Sequence, residues 1–253
     1  MDSTDVSAEA YYESVTSVLD EVRRHAVGPV QDAADLVAEA LRADGVVQAF
    51  GSGHSEALAM EIAGRAGGLV ATNRISLRDL VIHGDRSPEL LADPTLERDP
   101  AIAQALYDLT DPAPADVFVI ASNSGVNGSI VEMARLVKER GHSLVAVTSA
   151  AQAQQLASRH PSGLRLVDHA DVVLDNRSPY GDAVLELSGG GKVCAVSSIT
   201  GALLAQMLTA EVVRRLADAG QTPPVYLSAN VPGGDEHNHA LEARYVGRIR
   251  RTA

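Results

Sequence analysis

The chain has 253 residues, 45% of them hydrophobic and 21% charged, and a formal net charge of −12. That length is enough to bury a full core in one α/β domain, or in one domain with a helical appendage. The acidic balance excludes a surface built for polyanions such as nucleic acid, and a lone cysteine, Cys194, excludes an internal disulfide framework.

Further exclusions narrow the class. One cysteine fits a reducing compartment. The opening residues, Met1 to Asp5, are acidic and lack the basic-then-apolar profile of a signal peptide. No apolar run reaches the roughly 18–20 residues of a membrane span. The expectation is a cytoplasmic protein with neither a membrane nor a nucleic-acid partner. Aromatic residues are only 3% of the chain, so the core must be built from small aliphatic side chains.

In chain order, apolar spacing predicts a helix over about Ala8 to His25 and a second over about Val30 to Ala43, closed by Asp44-Gly45. A strand follows at Val46–Phe50, then a helix from about Ser55 to Ala66 stopped by Gly67-Gly68. Leu69 to Thr72 reads as a short second strand. Residues 84–115 are broken by five prolines around a helix near Ala101–Leu109. Val117–Ala121 is a third strand, Ser129 to Arg140 a helix, Leu144–Val147 a fourth strand and Asp171–Leu174 a fifth. A long apolar helix is expected over about Val193–Leu216, with an extended piece at Pro224–Leu227. Unbroken apolar strands alternating with helices predict a parallel sheet covered on both faces. The leading helices and the long Ala/Leu/Val helix offer more apolar surface than one sheet needs, which a homodimer would use.

Two turns carry the chemistry. Gly51-Ser52-Gly53-His54-Ser55 follows the first strand, and Ser122-Asn123-Ser124-Gly125 follows the third. Each opens a helix, where outward-pointing N–H groups and the helix dipole favour an anion and serine hydroxyls add neutral donors. Serine is also the ordinary helix cap, but two such turns at the ligand edge of one sheet, with Thr148-Ser149 after the fourth strand, exceed what capping requires. A dinucleotide site is excluded because position 56 is Glu where a third glycine is needed, and no acid ends the second strand. Gly191-Lys192 is not a P-loop, since position 186 is Glu and Val193 stands where Ser or Thr belongs.

Phe-Gly-Ser-Gly-His-Ser, Ala-Ser-Asn-Ser-Gly and Val-Thr-Ser, in this order after strands one, three and four, resemble the sugar isomerase (SIS) domain over about residues 30–215. The resemblance implies an α/β fold, a flavodoxin-like three-layer sandwich with a central five-stranded parallel sheet plus N-terminal helices. It implies a division into a dimerising helix (1–28), the SIS domain (29–222) and a C-terminal segment completing the active site (223–253). Carried over by position, Ser52, His54, Ser55, Ser122, Asn123, Ser124 and Ser149 would bind the phosphate and sugar. The run Ser228 to Asn238 is similar to the stand-alone bacterial branch, which implies a phosphorylated amino sugar as ligand, a homodimer with a shared active site, and no cofactor.

Proton transfer needs acids and bases beside that seat. Glu61 shares a helical sector with His54, Ala57, Leu58 and Arg65, and could equally form an i,i+4 ion pair with Arg65. The resemblance favours a catalytic Glu on this helix. Glu97 is a second candidate, although a charge before Asp99-Pro100 is commonly solvent-facing. In Asp235-Glu236-His237-Asn238-His239, His237 reads as a general acid or base in a dimer-related site, against a solvated loop or a metal site shared with His239. No common zinc spacing is present, so no metal is expected. The expected reaction is removal of the C2 proton of an amino-sugar 6-phosphate with loss of the C3 hydroxyl. Isomerisation, or sensing without catalysis, are the alternatives.

Overall fold

The computed structural model describes residues 6–251. Five parallel strands, β1 (Val47–Gly51), β2 (Thr72–Ile75), β3 (Val117–Ala121), β4 (Ser143–Thr148) and β5 (Val172–Asp175), lie in the order β2-β1-β3-β4-β5. This is the flavodoxin-like order, whose topological switch falls between β1 and β3. A separate antiparallel hairpin pairs β6 (Ala183–Glu186) with β7 (Lys192–Ala195). The helices are α1 (Ala8–Arg42), α2 (Glu56–Ile62), α3 (Asp79–Ile82), α4 (Ile102–Thr110), α5 (Gly128–Glu139), α6 (Ala150–Ala153), α7 (Leu166–His169), α8 (Ser197–Asp218) and α9 (Gly234–Glu242).

Alternation along each central strand builds three layers. Val117, Val119 and Ala121 face a core shared with α1, α2 and α8, while Phe118 and Ile120 face one shared with α4, α5 and α7. Both faces are buried, hence the unbroken apolar runs. The α/β sandwich with a five-stranded parallel sheet is as expected.

Three local expectations need correction. The two leading helices are one continuous helix, α1, with Pro29 inside it, so residue 28 lies within an element and not between two. Proline in a helix interior disfavours it by about 3 kcal/mol. The stripe Val22, Ala26, Val30, Ala33, Val37 and Leu41, buried against the core, outweighs that. The second strand begins at Thr72 because Leu69 and Val70 pair instead with the chain around Val225. β2 is an edge strand, and Asn73 brackets the chain end by donating to the Arg248 carbonyl and accepting from the Arg250 amide. The long helix starts at Ser197, not Val193. The stretch before it is the β6–β7 hairpin, turned by three glycines at 189–191, of which Gly190 and Gly191 have positive φ. The run after Gly233-Gly234, where a solvated loop was one alternative, is helical, as α9.

One buried carboxylate ties these parts together. Asp116, just before β3, accepts from the amides of Val46 and Ala113, from the Gln48 side chain and from the Arg248 guanidinium. Removing it strands buried donors and a cation, so Asp116→Ala should lower unfolding free energy in urea titration by about 3–5 kcal/mol.

Beside it, His142 is buried with Nδ1 against the Asp116 carbonyl and Nε2 against the Tyr107 hydroxyl. The carbonyl can only accept, so Nδ1 carries the proton and Nε2 accepts from Tyr107. Burial pushes the pKa of His142 down, and that of His169 likewise. A depressed folded-state pKa leaves the unfolded chain binding more protons. Stability is therefore full above about pH 6.5 and falls as pH drops below it. Urea midpoints measured from pH 7.5 to 5 should decline, and less steeply in His142→Gln.

Candidate functional site

Backbone register places the site. Parallel pairing aligns Gly51 with Ala121 and Ala121 with Val147, so β1, β3 and β4 end together. The chain leaves β1 into a tight turn that only glycine permits. A Cβ on Gly51 would lie 2.4 Å from the Ser55 carbonyl oxygen, and Gly53 has φ +56°. Among the described residues the amides of Gly53, His54, Asn123 and Ser124 find no acceptor. They are the unspent donors that an anion seat requires.

A cleft of about 930 Å³, measured to its open mouth, joins the two turns. Ser52, His54, Ser55, Ser122, Asn123 and Ser124 all line it, together with Glu97. The structure thus gathers six of the seven expected ligand residues and one of the three expected catalytic ones. Its only cationic candidate among the lining residues is His54, so any phosphate here meets neutral donors.

Glu97 is on a single 3-10 turn, Leu96–Arg98, and its Oε2 accepts from Ser52 Oγ at 2.9 Å. Two contacts clamp that turn to the start of α5. Ser129 Oγ donates to the Glu97 carbonyl at 2.7 Å, and Gly128 packs so close that a Cβ would sit 2.1 Å from the Arg98 carbonyl oxygen.

The second turn is held by amide chemistry. Asn123 Oδ1 accepts from Asn176 Nδ2 at 2.8 Å and from Ser178 Oγ at 2.9 Å. With the oxygen doubly engaged, the amide orientation is fixed and Nδ2 remains a donor beside the cleft. Ser122 Oγ accepts from the Gly125 amide at 3.1 Å, which shapes the turn.

Three expected residues lie elsewhere. Ser149 is fully buried, capping α6 by accepting from Gln152 N while its hydroxyl donates to the Ser178 carbonyl at 2.6 Å. Glu61 is ion-paired with Arg65 and accepts from Gln206 of α8 at 2.6 Å, outside the lining of its own chain's cleft. The i,i+4 pair weighed in the sequence is therefore formed. His237 sits on α9 with Nε2 3.0 Å from the Val225 carbonyl, on the flank where Val225 pairs with Leu69. Among the described residues no group of three or more His, Cys, Asp and Glu side chains is placed to hold a metal.

Sequence reading missed one wall of the cleft. Ser197 and Ser198 open α8 there, and Asp182 accepts from Ser197 N at 2.8 Å and Ser197 Oγ at 2.6 Å. The Ser-Ser pair heading a long apolar helix was the available signal. Its cap residue, 15 positions upstream across a hairpin, was not recoverable from local pattern.

The fold and the paired turns define an α/β protein with a strand-end cleft of unpaired amides and serine hydroxyls, and comparison with known proteins identifies the family. The chain belongs to the SIS domain family, whose model matches residues 10–149. It is 39% identical over 243 residues to the UPF0309 protein lmo0025 of Listeria monocytogenes, covering 94% of this chain and 97% of that one. It is 35% identical over 246 residues to the UPF0309 protein TTE0306 of Caldanaerobacter subterraneus, covering 96% and 98%. Among solved structures, the fold is similar to phosphoheptose isomerase GmhA from Neisseria gonorrhoeae (TM-score 0.55, 20% identity, 81% of this chain and 96% of that one). It is also similar to the Vibrio vulnificus NanR protein complexed with ManNAc-6P (TM-score 0.51, 13% identity, 98% and 72%). Among the described residues no helix is long and apolar enough to cross a membrane.

Because the first turn has no room for a Cβ, Gly51→Ala should displace it. The expected loss is about 1–3 kcal/mol of stability, read by urea denaturation.

Proposed function

We propose that the cleft binds an amino-sugar 6-phosphate and that the protein is a lyase acting on N-acetylglucosamine 6-phosphate. The supporting observation is the 2.9 Å contact between Ser52 and Glu97. It sets a carboxylate beside the neutral donors of the first turn. The phosphate would take the free amides and hydroxyls of the two turns, leaving the opened sugar chain to run past Glu97.

In the open-chain sugar the C2 proton is acidic because it lies beside the C1 carbonyl. Glu97 carboxylate removes it, and the electron pair passes into an enolate. Collapse of the enolate expels the C3 hydroxyl, which leaves as water once protonated, giving a 2,3-unsaturated sugar phosphate. An N-acetyl group at C2 blocks the usual tautomerisation to a 2-ketose, which favours elimination over isomerisation. This reading moves the base from Glu61 to Glu97, since Glu61 is engaged by Arg65 and Gln206. His237, exposed and away from its own chain's cleft, is kept for the second chain of a homodimer as the acid that protonates the departing hydroxyl.

Incubating the protein with N-acetylglucosamine 6-phosphate in deuterated water, followed by NMR, tests this. Loss of the C2 proton signal together with an alkene resonance is the expected result. C2 exchange without an alkene would mark proton abstraction without elimination, and binding without exchange a sensor. Glu97→Gln should lower turnover at least about 100-fold while substrate affinity stays within a few-fold.

A further inference from the structure

A second space of about 1000 Å³, measured to its open mouth, lies at the end of β2. Gly53 and Glu97 line both this space and the cleft, so the two meet at the carboxylate. Resting on the lyase reading above, we propose that the space at the β2 end receives the acyl group on the C2 nitrogen of the sugar, and that it admits acyl chains longer than acetyl.

Backbone register opens the space on the same edge of the sheet as the cleft. β1 pairs with β2 as far as Phe50 and Ile75, so Ser76, Leu77 and Arg78 leave the sheet beside the first turn. Glu97 divides the two spaces. Its Oε2 accepts from Ser52 Oγ at 2.9 Å and lies 3.2 Å from where a Cβ on Gly53 would stand, while Oε1 has no hydrogen-bond partner among the described residues. A C2 carbon that presents its proton to this carboxylate has its other three bonds to C1, C3 and the nitrogen. C3 leads along the chain to the phosphate, and so into the cleft. The acylated nitrogen is the bulkiest group left, and the β2 end is the space left for it.

The wall chemistry suits a neutral, apolar-tailed group. Leu77, Leu91, Pro94 and Leu96 all line the space. Leu91 is 39% exposed and Leu77 only partly buried, so apolar area stands open for a ligand to cover. Charge argues against an anion here. Arg78 is the one cation in the lining, against the carboxylates of Glu56, Asp93 and Glu97, which would repel a phosphate. Nor is a cation called for, because Asp93 already accepts from the Thr95 amide and hydroxyl at 2.7 Å each, and Glu56 lies 3.9 Å from Arg74. The phosphate is thereby directed to the cleft and the acyl group to the β2 end. The C1 aldehyde, small and polar, gains little from a leucine wall. An acetyl group fills a small part of the volume, which leaves room for a longer chain.

Glucosamine 6-phosphate carrying an N-acetyl, N-propanoyl or N-butanoyl group tests the space. Affinity is measured by calorimetric titration of the full chain bearing Glu97→Gln, in which the proposed turnover is blocked. Each added methylene should tighten binding about twofold to fourfold. Adding Leu91→Asn, at an exposed position, keeps the side chain's size but removes its apolar surface. It should abolish the gain from acetyl to butanoyl while N-acetyl affinity stays within about threefold. Gains below about twofold per methylene, or weaker binding of the longer chains, overturn the proposal, as does a gain that Leu91→Asn leaves intact. Loss of the C2 proton in the wild-type protein, followed by NMR, judges the lyase reading separately. A Leu91-dependent gain without C2 proton loss keeps the acyl site and removes the lyase. Turnover of the N-acetyl compound without any gain keeps the lyase and overturns the acyl site.

Discussion

Everything at the cleft depends on parallel strands ending in register. Gly51, Ala121 and Val147 are linked across three neighbouring strands, so the chain must turn away from the sheet along one line. Backbone amides just past that line lose their ladder partners and have not yet entered a helix. An antiparallel sheet would spread such corners over both ends. Here they converge at the β1/β3 switch, where helices depart to opposite faces and leave a crevice between them. The serines and Asn123 add donors to a place already deficient in acceptors.

In the cleft the donors are amides and hydroxyls, and Asn123 is held in place by Asn176 and Ser178. Neutral donors are compatible with the role proposed for Glu97, because a nearby guanidinium would hold its carboxylate in an ion pair.

What the sequence made legible follows from how local each signal is. Serines after unbroken apolar runs announced both turns, since the strand, the turn and the helix start are contiguous. Glu97 was visible only as a candidate, because it sits on one 3-10 turn in a proline-broken stretch with no periodicity. Glu61 lies on its helix as expected, yet its environment is set by Gln206, 145 residues away. Ser149 looked like Ser122 in sequence and differs only because the loop after β5 returns a carbonyl, Ser178, to its hydroxyl. The break expected between His25 and Val30 is overridden by long-range burial of the α1 stripe. Local chemistry was readable, and long-range partners were not.

The clamp on Glu97 ties its carboxylate to the cleft. A carboxylate on a single turn in a long irregular segment would ordinarily wander, since such segments hold few buried contacts. Here the turn is fastened to the first residues of α5, through Ser129 Oγ and through the bare backbone of Gly128. The same helix start carries the Ser122–Gly125 turn that faces the cleft. On the proposed function, an anion held by those amides would bear on the start of α5 and, through it, on the segment that holds Glu97 against Ser52. Ser52 belongs to the other corner, so the contact between them joins the two seats across the switch point. On the proposed function, binding energy gathered at the phosphate end would fix the carboxylate relative to the sugar, and effective concentration would then lower the barrier to proton removal.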